Sequence, residues 1–174
     1  MNIRPEGDAD YAEIAAVVGA AFSHHPQVVA FVDRIRASAD YVPELALVAE
    51  DESGIVGHVM LSWVALEGDG LDRLLVLTPM SVRPDRQRQG VGSALIREVL
   101  RRADEAGAPA VFLEGIPGYY PRFGFEPAQE LGLVKPDASV PDEAFMVRRL
   151  AAYTDAVRGR ILYPASYDAL RDSG

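Results

Sequence analysis

Apolar positions change their period several times along the chain, and each change marks an element. A short strand is predicted at residues 2–4. Ile14, Val17, Val18 and Ala21 then recur with helical spacing, and Asp8 or Asp10 stands where a helix N-cap belongs. Ser23-His24-His25-Pro26 breaks this helix, and a second amphipathic helix is expected over residues 27–38. Strands follow at 45–50, 55–66 and 71–82, separated by the turn sequences Asp51-Glu52-Ser53-Gly54 and Glu67-Gly68-Asp69-Gly70. Pro79 has no backbone N–H, so the ladder of the third strand weakens or bulges there. After a polar loop at 83–89, Leu95, Val99 and Ala103 line one face of a helix over 90–106, with Gly107 as its C-cap and Ala108-Pro109 as its stop. A buried strand at 110–113, a further helix and two late strands, one of them at 145–150, complete the order β-α-α-β-β-β-α-β-α-β-β. Three antiparallel strands followed by a strand–helix–strand crossover predict an α+β fold: a mixed, mostly antiparallel central sheet flanked by helices.

With 174 residues and no internal repeat, the expectation is a single domain over 1–174. No apolar run approaches the roughly 20 residues that span a bilayer. The first residues, Met1-Asn2-Ile3-Arg4-Pro5-Glu6, carry no signal-peptide core. A cytoplasmic protein without a membrane partner is expected. The absence of cysteine excludes disulfides, thiolate metal ligands and a cysteine nucleophile. The histidines lack metal-ligand spacing, so no metal is expected. A net charge of −9, from 26 acidic and 17 basic residues, repels a nucleic-acid backbone and suits a cationic substrate. Exposed sheet edges leave a homodimer open.

The loop from Val82 to Leu95 changes this picture most. It joins a strand end to a helix start, where N–H groups without helical partners point outward at the positive end of the helix dipole. Gly90 and Gly92 have no side chain to block an approaching anion, and Arg83, Arg86 and Arg88 add positive charge on an acidic chain. A phosphate or pyrophosphate site follows. Two ligands satisfy it. Gly90-x-Gly92, with Glu114 downstream, is half of a dinucleotide fingerprint. The third glycine is absent, since Leu95 holds its place, and an antiparallel meander precedes the unit. Coenzyme A is the other candidate.

Gln87-x-x-Gly90-x-Gly92 resembles the acetyl-CoA signature of the GNAT superfamily of N-acetyltransferases. About thirty residues on, Tyr119-Tyr120-Pro121-Arg122-Phe123-Gly124-Phe125 resembles the segment that closes the GNAT core, and more narrowly a branch of predicted bacterial N-acetyltransferases. Residues 44–64 and 158–164 are similar to the same branch. That branch often carries Asp or His where this chain has Ile116.

The resemblance implies the GNAT acyl-CoA N-acyltransferase fold, with a V-shaped splay between strands 77–82 and 110–113 that holds acetyl-CoA as co-substrate. It implies that Gln87, Arg88, Gln89, Gly90, Val91, Gly92 and Ser93 hold the pyrophosphate, and that backbone donors of Met80 and Val82 bind the pantetheine arm, one strand N–H also serving the oxyanion. It implies direct attack by an amine, of a small molecule or a peptide, in a ternary complex. Tyr120 would be the general acid to the thiolate. A tyrosine near pKa 10 giving its proton to a thiolate whose acid lies near 8.5 works uphill by about 2 kcal/mol, so it needs help or acts as a hydrogen-bond donor. Glu114 is the base candidate, acting through water, with Glu50 and His58 as others. His24 and His25 lie in a segment that often shapes the acceptor site. A non-catalytic acyl-CoA-binding module and a dinucleotide-binding oxidoreductase stay open as alternatives.

Overall fold

The structure, a computed structural model, describes residues 1–170. In chain order the elements are β1 (Asn2–Pro5), α1 (Tyr11–Ala21), α2 (Gln27–Arg36), β2 (Tyr41–Asp51), β3 (Gly54–Glu67), β4 (Arg73–Val82), α3 (Val91–Glu105), β5 (Ala110–Glu114), β6 (Glu126–Pro127), β7 (Leu133–Val134), β8 (Phe145–Arg149) and β9 (Gly159–Leu162). The hydrogen-bonded strand order is β1-β2-β3-β4-β5-β8-β6, with β9 pairing β3 and β7. The β4–β5 and β7–β9 ladders are parallel, while β1–β2, β2–β3, β3–β9, β5–β8 and β6–β8 are antiparallel. This is the mixed, mostly antiparallel sheet that the hydrophobic pattern predicts. No described helix is long and apolar enough to cross a membrane.

The helix expected after β5 does not form. Short 3-10 turns at Tyr120–Phe123 and Ala128–Leu131 stand there instead. Gly115, Pro117, Gly118, Pro121 and Gly124 fall within ten residues, and prolines and glycines at that density cannot sustain an α-helix. β2 begins earlier than its alternation suggests. A register shift between Tyr41 and Ala46 takes Pro43 out of the regular ladder. A cis bond joins Thr78 to Pro79 within β4.

The chain divides into two compact units. The first comprises Met1–Ser62, Thr78–Arg102 and the described residues from Ala165 onward. Its helices bury Ile14, Val17 and Val18 from α1, and Val28, Phe31, Val32 and Ile35 from α2. Phe31 meets Tyr167 edge-on at 4.7 Å. Gly57 of β3 lies against α3: a Cβ there would stand 2.9 Å from both Val91 Cγ1 and Leu95 Cδ1. The next residue, His58, faces the other side and meets Glu6. Successive strand residues alternate faces, so α3 covers one face of β3 and the Glu6 cluster the other.

That cluster is buried. The Glu6 carboxylate accepts from Arg36 Nε at 2.8 Å and Nη2 at 2.9 Å, from Tyr41 Oη at 2.9 Å, and from His58 Nε2 at 2.8 Å. Burial alone would raise the carboxyl, but the hydrogen bonds from Arg36 and His58 outweigh it and bring Glu6 down to about 2.

The second unit comprises Trp63–Leu77 and Ala103–Pro164. β5 runs through its centre. It pairs in parallel with the first half of β4 through Leu75↔Val111 and Val76↔Phe112, and with β8 from Ala110↔Arg149 to Glu114↔Phe145. Burial on both faces explains why Ala110-Val111-Phe112-Leu113 reads as an unbroken apolar run. Phe112 and Phe145 pack edge-on at 6.0 Å.

Candidate functional site

In the first unit, the predicted anion loop follows β4. The Arg83 N–H donates to the Val56 carbonyl of β3 at 2.9 Å. N–H groups alternate between the two edges of a strand, so those of Val82 and Met80 point away from β3, as free backbone donors for a ligand should. Ser81 between them is buried, and its hydroxyl has no hydrogen-bond partner among the described residues.

A 3-10 turn at Pro84–Arg86 then shapes the loop. Arg83 donates to Asp85 at 2.6 Å and to Ser53 Oγ at 2.9 Å, while Arg86 donates to Asp85 at 2.8 Å and to Asp51 at 3.1 Å. The hydrogen bond from Arg83 holds the Asp85 carboxyl below its ordinary value. Ser53, then Arg86, does the same for Asp51. These pairs correct the reading of Arg83 and Arg86 as local positive charge for a ligand: both are spent on stapling the loop. Arg88 is exposed, and its φ of 60° is a left-handed conformation uncommon for arginine.

The Gln87 and Gln89 side chains bond the protein's own backbone, Gln87 Nε2 to the Val82 carbonyl at 3.1 Å and Gln89 Nε2 to the Asp85 carbonyl at 3.0 Å. They fix the loop's shape. Gly90 has φ 88°, and a Cβ built on it would meet nothing within 4 Å, so the space in front of it is open. The first helical bond of α3 runs from the Ala94 N–H to the Gly90 carbonyl at 3.0 Å. The preceding N–H groups, of Val91, Gly92 and Ser93, therefore lack partners within the helix. The first turn carries no acidic side chain to neutralise its positive end. Val91 itself is buried, so its contribution is its backbone.

In the second unit, Tyr120 opens the 3-10 turn at Tyr120–Phe123. Its ring is held edge-on by Tyr119 at 5.1 Å and Phe125 at 5.8 Å. It also lies on Gly115, where a Cβ would collide with the ring. Burial, with Tyr119 adding to it, pushes the Tyr120 hydroxyl up to about 12. Tyr119 is bound elsewhere as well, its ring under Arg122 at 4.7 Å and edge-on to Phe123 at 5.3 Å. Glu114 ends β5 with an exposed side chain and accepts a hydrogen bond from Tyr163 Oη at 2.7 Å. The Tyr120 ring thus lies on Gly115, the residue that follows Glu114. Tyr163 was not predicted. It lies 49 residues from Glu114, and no local pattern links the two.

The other base candidates are occupied. Glu50 pairs with Asn2 at 2.9 Å and Arg4 at 3.0 Å. His58 is fully buried with Nε2 on Glu6. His24 and His25 are exposed between α1 and α2.

Comparison with known proteins converges on one family. Residues 2–128 match the model of the acetyltransferase (GNAT) domain. Over 124 residues the chain is 35% identical to YjhQ, an uncharacterized N-acetyltransferase of Escherichia coli K12, with 68% of each chain covered. Among solved structures, the E. coli GNAT family N-acetyltransferase YhbS in complex with CoA superposes with a TM-score of 0.85 at 30% identity, covering 96% of this chain and 91% of that one. A GNAT family acetyltransferase from Brucella melitensis in complex with acetyl-CoA gives 0.77 at 32% identity, covering 96% and 97%.

Proposed function

This chain belongs to the GNAT acetyltransferase family and is an N-acetyltransferase with acetyl-CoA as co-substrate, and we propose the following roles for its residues. The start of α3 takes the pyrophosphate, through the N–H groups of Gly90, Val91, Gly92 and Ser93, in a loop shaped by Gln87 and Gln89, with Arg88 adding charge. The observation that carries this is the first turn of α3: glycine-open, without an acidic side chain, and with N–H groups unpartnered in the helix. The Met80 and Val82 N–H groups hold the pantetheine arm.

An amine then attacks the thioester carbon directly. Glu114 takes the ammonium proton, directly or through one water, and the C–N bond forms as the C–S bond breaks. Tyr120 donates a hydrogen bond to the leaving sulfur. With its hydroxyl near 12, outright transfer to a thiolate whose acid lies near 8.5 costs about 5 kcal/mol, so stabilising the sulfur is its role and the final proton comes from solvent. A net charge of −9 favours a cationic amine over a nucleic-acid partner.

The test is thiol release from acetyl-CoA against a panel of primary amines. The chain contributes no thiol background, since it has no cysteine. Amine-dependent release is the expected result. Acetyl-CoA binding without release by any amine would favour a non-catalytic acyl-CoA-binding module.

A further inference from the structure

Glu114 is exposed, yet it is not left to wander. Tyr163 Oη donates to one of its oxygens, Oε1, at 2.7 Å, and the Tyr163 ring is seated against buried Phe112, with ring centroids 6.3 Å apart. Phe112 lies two residues before Glu114 in β5, so the tyrosine is anchored on the strand that ends in the carboxylate. On the other side, Gly115 lets the Tyr120 ring pack directly against the chain beside Glu114. Within this unit, the carboxylate has one oxygen restrained by Tyr163, and its second oxygen, Oε2, has no hydrogen-bond partner among the described residues.

We propose that Tyr163 is a positioning residue for the acetyl transfer: it fixes Glu114 so that Oε2 meets the ammonium group of a primary amine substrate. This rests on the acetyltransferase reading above. An unrestrained glutamate samples many rotamers, and ordering it costs side-chain entropy each time a substrate binds. Tyr163 meets that cost in the folded protein, through a hydrogen bond to a charged acceptor, the stronger kind. The proton balance is complete. The ammonium gives one proton to Oε2, leaving a neutral amine and a carboxylic acid. The amine nitrogen bonds the thioester carbon and coenzyme A leaves as thiolate. The new amide sheds its extra N–H proton, the thiolate takes up one, and Glu114 returns its own to solvent.

Tyr163→Phe removes only the hydroxyl. Three-bond couplings along the Glu114 side chain should report one rotamer in the wild type and averaging in Tyr163→Phe. With the amine that turns over best in the panel, kcat/KM for the amine should fall about tenfold while KM for acetyl-CoA and the melting temperature hold. In a Glu114→Gln background, Tyr163→Phe should cost nothing more. A Glu114 side chain still fixed in Tyr163→Phe, or an equal loss in both backgrounds, overturns the proposal. If no amine releases thiol, the enzymatic reading fails and this inference with it. If amines react but the couplings do not change, Tyr163 alone is removed.

Discussion

Tyr120 and Gln87 show how a motif can single out a residue without fixing what that residue does. The spacing to Gly124-Phe125 selects Tyr120 over Tyr119; in the structure Tyr119 lies under Arg122, while the Tyr120 hydroxyl has no hydrogen-bond partner among the described residues. Desolvation of its half-buried ring raises the hydroxyl and makes it a poor proton donor and a good hydrogen-bond donor. Tyr120→Phe should therefore lower kcat at least about tenfold, because a hydrogen bond to sulfur strengthens as negative charge develops there. Acetyl-CoA affinity, measured by titration of the same variant, should change little. Undiminished kcat would remove Tyr120 from the reaction. Gln87 carries the family motif and Gln89 lies at one of its variable positions, yet both amides face the loop's own carbonyls. Motif matching finds such residues without distinguishing a group that touches the ligand from one that builds the cradle.

At the scale of elements, the Glu6 carboxylate just past β1 gathers α2, β2 and β3 through Arg36, Tyr41 and His58. A carboxyl lowered from an ordinary 4.5 to about 2 contributes stability that is present above 4.5 and lost as pH falls toward 2. The wild type should lose about 3 kcal/mol across that window. Glu6→Gln should be less stable in urea at pH 7 by about 3–5 kcal/mol, because Arg36 is left charged and buried, and its acid limb should be flatter. Equal acid sensitivity in both proteins would show that other carboxylates dominate. The cluster itself is not legible in the sequence, since Glu6 and His58 lie 52 residues apart. The long elements are: β3, β4, α1 and α3 follow their hydrophobic periods closely. β6 and β7, of two residues each, are too short for any alternation to show, and β9 has only four. The helix wrongly expected after β5 reflects the weight given to topology over five helix-breaking residues.

For the molecule as a whole, the two groups of residues given functional roles in the proposal belong to different units, the anion loop to one and Glu114, Tyr120 and Tyr163 to the other. Each was readable in part, because a glycine loop at a strand–helix junction and a tyrosine before Gly-Phe are local patterns. What joins Glu114 to Tyr163 is made only by folding. The net charge of −9 makes the glycine-open helix start an exception on an acidic chain, where affinity for a polyanionic cofactor must come from backbone donors, the dipole and Arg88. The most direct measurement is a calorimetric titration of the purified protein with acetyl-CoA and, separately, with NADH, repeated on Gly92→Val. Saturable acetyl-CoA binding, no NADH heat and at least about tenfold weaker acetyl-CoA affinity in the variant are predicted, since a branched side chain would stand where the pyrophosphate lies. No acetyl-CoA binding, NADH binding in its place, or undiminished affinity in Gly92→Val would contradict the account of this loop.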